Sequence, residues 1–264
     1  MGQVFSKDGT AIAFTRTGSG PALIIVDGAL CYRAFGPSKA LAEALAEHFT
    51  VYTYDRRGRG ESGAGTAPDV EREVEDVAAL IEEAGGSAHL FGMSSGGTLV
   101  AEAAHRGVAA ERIAIYESPM TIDDTRPPMD PDLVERVERA IAEGRPGDAV
   151  TLFMRYVGTP GFFIAMMRVM PVWKKLKGVA HTLPNDFALV GEFQHGTKPP
   201  ADRWSGAGSP ALVIAGGKSP AYLRNAQRHL ADALPHGELV VLPGQTHLVK
   251  AAVTAPVLVE FYRR

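Results

Sequence analysis

Residues Gly92-Met93-Ser94-Ser95-Gly96-Gly97 constrain this chain more than any other stretch. They lie between an apolar run, Ala88-His89-Leu90-Phe91, and a segment with helical patterning from Thr98 to Arg106. A serine with glycine two residues away on each side, at a strand-to-helix junction, reads as a turn so tight that only residues without a Cβ fit at Gly92 and Gly96. Such a turn strains Ser94, pushes its Oγ clear of the backbone and sets a helix N-terminus behind it. Gly-x-Ser-x-Gly alone is common by chance. A Gly/Ser-rich turn without chemistry is the competing reading, and the context of the turn decides between them.

That context is an alternation of strands and helices. The segments Gln3–Phe5 and Ala11–Thr15 flank Asp8-Gly9, a dipeptide that favours a hairpin turn. Continuous apolar runs follow at Ala22–Val26, Thr50–Tyr54, Ala88–Phe91, Ile113–Tyr116, Ala211–Ile214 and Leu239–Leu242. Runs apolar on both faces are what a parallel sheet buries. Helical patterns lie among them at Ser38–Glu47, Asp69–Ala84, Thr98–Arg106, Ala221–Leu234 and Ala255–Tyr262. The alternation predicts an open, mostly parallel α/β sheet covered on both faces, with antiparallel strands at the start. Right-handed crossovers bring the strand C-termini to one edge, where such sheets place their sites.

Between about Met120 and Gly208 the alternation stops, and only helical patterns remain. Asp132–Glu143 spaces Leu133, Val134, Val137, Ala140 and Ile141 helically among charges. Leu152–Val157, Phe162–Met167, Met170 and Trp173 then concentrate Met and aromatic side chains. Most of these residues are expected to form a core that fastens an insertion to the sheet. Others form an adaptable apolar wall over a site.

The chain has 264 residues, 45% of them apolar, enough for one sizeable core. The net charge of -3 gives no basic field for nucleic acid or an anionic membrane. The short clusters Arg56-Arg57-Arg59 and Lys174-Lys175-Lys177 read as solvated faces. The lone cysteine, Cys31, has no internal disulfide partner, which fits a reducing cytoplasm, the expected location. No signal core or membrane-length apolar run is present, and no His/Cys/Glu cluster has zinc-site spacing. Gly18-Ser19-Gly20 precedes a strand and does not open a helix, so it is no dinucleotide loop. No metal or organic cofactor is expected.

Four motifs, in order, resemble the α/β-hydrolase superfamily over nearly the whole chain. Val26-Asp27-Gly28-Ala29 matches the turn after the third strand, where the family usually carries His-Gly. Asp55-Arg56-Arg57-Gly58-Arg59-Gly60-Glu61-Ser62 matches the loop after the fourth strand in esterase-like and peroxidase-like members. Gly92–Gly96 matches the nucleophile elbow, and Gly244-Gln245-Thr246-His247 the loop carrying the catalytic histidine. The resemblance implies an α/β-hydrolase fold with a core domain of residues 1–119 and 209–264 and a helical cap of residues 120–208.

It also implies roles. Ser94 matches the nucleophile and His247 its base, since a free serine hydroxyl needs a base within hydrogen-bond reach. Seven other histidines occur, and His181 and His195, in the insertion, are open as substrate contacts. The oxyanion hole falls on the backbone N–H groups of Ala29 and Ser95. Asp27 stands where the family has histidine, and its carboxylate would repel an oxyanion unless turned away or paired with Arg56, Arg57 or Arg59.

The triad acid departs from the pattern. Where most relatives have aspartate after the penultimate strand, this chain has Ser219, which carries no charge. Glu117, at the tip of Ile113–Tyr116, stands where some haloalkane dehalogenases of this fold place their acid. Asp123 and Asp124 are alternatives, as is a dyad without an acid. The resulting expectation is a serine hydrolase with Ser94, His247 and Glu117 acting on small apolar esters or related acyl compounds. A cofactor-free haloperoxidase or perhydrolase, and a small-molecule binder on a hydrolase scaffold, are the alternatives.

Overall fold

Among the described residues eight strands form one sheet in the order β1-β2-β4-β3-β5-β6-β7-β8. They are β1 (Gly2–Phe5), β2 (Ala11–Thr17), β3 (Ala22–Val26), β4 (Thr50–Tyr54), β5 (Ala88–Met93), β6 (Ala110–Tyr116), β7 (Ala211–Gly216) and β8 (Gly237–Leu242). β1 and β2 run antiparallel, as the Asp8-Gly9 turn predicts, and every pairing from β4 through β8 is parallel. A computed structural model describes residues 1–65 and 68–264.

The period of two along each strand builds two cores. Ile24, Val26, Leu90, Ile113, Ile115 and Val213 bury against the helices of one face, α2 (Val70–Glu83), α3 (Ser95–His105) and α9 (Ala221–Ala233). Their neighbours Leu23, Ile25, Phe91, Ala114, Leu212 and Ile214 point the other way, onto α1 (Ser38–Leu45) and α10 (Ala251–Tyr262). Losing one of these leucine, isoleucine or phenylalanine side chains to alanine costs about 2–5 kcal/mol. α2 shows how locally its limits are written. Asp69 accepts the Glu71 N–H at 2.9 Å as N-cap, Val74, Val77, Leu80 and Ile81 form the buried stripe, and Gly85 (φ 110°) ends the run.

Between β6 and β7 lie α4 (Leu133–Ala142), α5 (Pro146–Tyr156), α6 (Gly161–Arg168), α7 (Pro171–Gly178) and α8 (Leu183–Val190), with short 3-10 turns around α8 and no strand. These helices share a third core that includes Val137, Val150, Ile164, Trp173, Leu183 and Phe187, joined by Leu30 from the loop after β3. The side chains of the Met-rich and aromatic runs divide three ways. Ile164 and Trp173 are buried, Phe153, Tyr156 and Val157 line a cavity, and Phe162, Phe163, Met166 and Met170 are exposed. The last group follows neither expected role. α3 begins at Ser95, three residues earlier than its periodicity suggests, because the helix starts directly at the strained turn. Among the described residues no helix is long and apolar enough to cross a membrane.

Candidate active site

The strand C-termini converge on one edge. Ala29 follows β3, Ser94 follows β5, Glu117 follows β6 and His247 follows β8. Ser94 sits at φ 55°, ψ -129°, a conformation costing a non-glycine residue about 1–3 kcal/mol. The glycines make that turn possible. A Cβ on Gly92 would meet the Gly96 carbonyl oxygen at 2.3 Å, and one on Gly96 would meet the Val26 carbonyl oxygen at the same distance. The Ser94 N–H donates to the Tyr116 carbonyl at 2.9 Å, which ties the turn to β6.

His247 Nδ1 lies 2.9 Å from Glu117 Oε2. The other carboxylate oxygen of Glu117 accepts the Gly216 N–H at 2.7 Å, and Glu117 is fully buried. The histidine loop is anchored separately, by the Tyr116 hydroxyl donating to the Thr246 carbonyl at 2.7 Å. Of the carboxylates the sequence offers, Glu117 meets His247. Asp123 instead accepts from Thr125 and from Asn225 Nδ2, and Asp124 is exposed. Ser219 is buried with its Oγ unpartnered and makes no bond to the imidazole. His181 caps the Gly58 carbonyl and His195 is exposed; neither lines the cavity at Ser94.

The arginine cluster overturns a reading of the sequence. Arg56, Arg57 and Arg59 are each 1% exposed, where a solvated face was expected. Arg56 forms a two-pronged pair with Glu73 and a 2.7 Å bond to Asp186 of α8, and Arg59 reaches the other oxygen of Asp186 at 2.7 Å. Arg57 turns away to Asp76 and Asp8. Against burial, Arg59 and then Arg56, helped by Ser95 Oγ donating at 2.7 Å, hold the Asp186 carboxyl below its ordinary range. Among the described residues none of the three arginines hydrogen-bonds the Asp27 carboxylate, so pairing, one of the two arrangements the sequence left open, does not occur.

They hold backbone instead. Arg59 donates to the Gly28 carbonyl at 2.7 Å and Arg56 to the Asp27 carbonyl at 3.3 Å. In a trans peptide the carbonyl and the following N–H point opposite ways. Arg59 therefore turns the Ala29 N–H away from itself. Among the described residues neither the Ala29 nor the Ser95 N–H donates to a protein acceptor. Two free amides, one of them at the first position of α3, suit a developing negative charge. Gly28 is needed beside them, because a Cβ there would lie 2.9 Å from the Ser94 Cβ.

Ser94, His247, Ala29 and Ser95 line one cavity of about 150 Å³. Among the described residues no hydrogen bond joins Ser94 Oγ to His247; such bonds tighten when substrate binds. A larger cavity, of about 870 Å³, lies at Tyr32, Arg33, Lys174 and Lys175 and contains none of these groups. The thiol of Cys31 is no rival nucleophile, since burial, then Asp27, pushes its pKa up to about 12. Sequence reasoning missed two charged residues of the wall, Asp186 and Arg126.

Residues 18–255 match the model of a family described as "Alpha/beta hydrolase family". Solved structures agree. An alpha/beta hydrolase from Sphaerobacter thermophilus DSM 20745 is similar at 48% identity and a TM-score of 0.91, over 99% of this chain and 100% of that one. The enol-lactonase from Burkholderia xenovorans LB400 is 25% identical over the whole of both chains, with a TM-score of 0.71. A thermophilic esterase from Thermogutta terrifontis, 22% identical with a TM-score of 0.65, covers 99% of this chain and 96% of its own and shares the fold.

Proposed function

We propose that this chain, which belongs to the alpha/beta hydrolase family, is a serine hydrolase that cleaves small, largely apolar carboxylic esters or related acyl compounds through an acyl-enzyme. One observation carries the reading: a strained Ser94 and a His247 bonded to buried Glu117 share a cavity. His247 Nε2 takes the proton of Ser94 Oγ as that oxygen attacks the carbonyl carbon. Glu117, acting on Nδ1, fixes the tautomer and stabilises the imidazolium. The Ala29 and Ser95 N–H groups receive the oxyanion, and the positive end of α3 adds to them. His247 then returns the proton to the leaving oxygen. Water activated by the same imidazole clears the acyl group.

In this reading residues 1–119 and 209–264 are the core domain and residues 120–208 a helical cap, whose Phe153, Val157 and Phe187 shape the acyl side of the cavity. The name of the Burkholderia relative, an enol-lactonase, points toward cleavage of an ester linkage. Labelling with a fluorophosphonate, alongside turnover of phenyl acetate, is the test. Labelling and turnover that Ser94→Ala and His247→Ala both abolish support the reading. A folded protein that neither takes the probe nor turns over esters is a binder, and the reading fails.

A further inference from the structure

We infer that the substrate carries a carboxylate and that Arg126 binds it; the inference rests on the serine-hydrolase reading above. Arg126 comes from the segment between β6 and α4 and lines the cavity with Ser94 and His247. Its guanidinium lies 4.6 Å from the ring centre of Tyr156, on α5, and 4.5 Å from that of Tyr222, on α9. Both rings turn a face to the cation, and they cannot accept the strong hydrogen bonds that its N–H groups can make. One Nη2 proton goes to the Tyr156 carbonyl. Tyr156 is itself held, its hydroxyl donating to buried Gln194 at 2.8 Å.

The carboxylates around the cavity are engaged by other groups. Asp186 is shared by Arg56 and Arg59, and Glu117 is engaged by His247 and the Gly216 N–H. Asp123, on the same segment as Arg126, is taken by Thr125 and Asn225. Among the described residues no carboxylate pairs with Arg126. The wall thus holds a half-buried cation without a carboxylate partner among the described residues, its place set in advance by two ring faces and a carbonyl. A planar fork of this kind matches a carboxylate through two parallel N–H···O bonds. Phe153, Val157, Phe187, Val190 and Leu223 make the remaining wall apolar. A cavity of about 150 Å³ admits a group about the size of benzene. The substrate class is therefore an ester or lactone with a compact apolar body, its carbonyl at Ser94 and an acid group at Arg126.

The competing role is a staple, with Arg126 only fastening α5 to α9. 4-Acetoxybenzoate and 4-acetoxybenzamide separate the two, because they share ring and ester and differ in charge. The amide is intrinsically the more activated ester, so a preference for the carboxylate belongs to the protein. The wild type is expected to favour the carboxylate in kcat/KM by about tenfold to a hundredfold, mostly through KM. Arg126→Met should collapse that ratio to near unity, and Arg126→Lys, which keeps the charge without the fork, should fall between. No preference in the wild type, a ratio untouched by Arg126→Met, or both substrates falling in step overturns the inference.

Calorimetric binding of benzoate and benzamide provides a readout independent of turnover. Benzoate bound at least about tenfold more tightly by the wild type, with that margin lost in Arg126→Met, or narrowed in Arg126→Lys should the methionine variant not fold, supports the site. Equal affinities overturn it, even if Ser94 is labelled and esters are cleaved. If no ester is cleaved and Ser94 resists the fluorophosphonate, the hydrolase reading fails, and the benzoate comparison still decides whether Arg126 is an anion site.

Discussion

Glu117 Oε2 and His247 Nδ1 meet at 2.9 Å although 130 positions separate them in the chain. β6 and the loop after β8 make that meeting possible, and the Gly216 N–H on Glu117 Oε1 sets which oxygen faces the imidazole. The chain thereby carries an acid next to its histidine although Ser219 occupies the usual acid position.

Glu117→Gln tests that relationship through the tautomer. The Gln oxygen can replace Oε1 as acceptor for Gly216, which leaves the NH2 group facing Nδ1. An NH2 donor there demands an unprotonated Nδ1 and puts the proton on Nε2, where it blocks the uptake of the Ser94 proton. Turnover should fall by about 10⁴. The shape is retained, so the thermal midpoint should stay close to that of the wild type. Steady-state rates on phenyl acetate, beside a melting curve, check both; turnover within a few-fold of wild type removes Glu117 from the mechanism.

The strained turn makes a prediction about stability. Ser94→Ala removes the hydroxyl but keeps a Cβ at φ 55°, whereas Ser94→Gly also relieves the strain. Glycine's extra freedom in the unfolded chain takes back part of the gain. Ser94→Gly should be the more stable of the two by about 1 kcal/mol, or roughly 2–4 °C in midpoint for a chain of this size. Both should be inert toward fluorophosphonate. An alanine variant as stable as the glycine variant would show that the turn stores no strain.

What could be read in advance was local. Strands buried on both faces announce themselves as apolar runs, and the glycines at positions 92 and 96 announce the turn, because each feature is complete within a few residues. Arg56 and Arg59 misled for the opposite reason. Their shared acid, Asp186, lies 130 and 127 positions away on α8, a helix whose Pro184-Asn185-Asp186 start conceals its periodicity. A charge run is solvated unless distant acids come to meet it, and nothing adjacent in the chain reports that they do. Arg126 is harder still, since the two rings that face it come from α5 and α9.

The buried pair network should be intolerant of losing Asp186. Arg59 has no other carboxylate partner among the described residues and would keep only carbonyl oxygens and the Thr182 hydroxyl. Asp186→Ala should cost about 3–5 kcal/mol, the penalty for an uncompensated buried charge. Ser95 Oγ would lose its acceptor, and Arg59, which holds the Gly28 carbonyl, would lose its carboxylate anchor, so fluorophosphonate labelling should slow as well. Urea midpoints and labelling rates measure the two effects. A loss under 1 kcal/mol in the first would mean that solvent reaches the arginines, which the structure buries.

Asp27 links stability to pH. It is buried, and its Oδ1 has no hydrogen-bond partner among the described residues. Burial pushes its pKa from 3.8 up to about 6, against the opposing pull of Arg59 and Arg56. The folded state therefore holds this proton more tightly than the unfolded chain, which releases it near pH 4. Between about pH 4 and pH 6 the folded form carries the extra proton, so this group makes stability fall as pH rises through that window. Above the window the loss is complete, about 3 kcal/mol for a two-unit rise. Asp27→Asn keeps the shape and removes the ionisation. Its stability relative to wild type should thus improve by about 2 kcal/mol from pH 4 to pH 8, with most of the change below about pH 6. Asp76, also pushed up to about 6 by burial, titrates in both proteins and cancels from the difference. Urea unfolding of the two proteins across this range measures the difference directly, and one that stays flat with pH would mean that Asp27 ionises as freely in the folded chain as in the unfolded one.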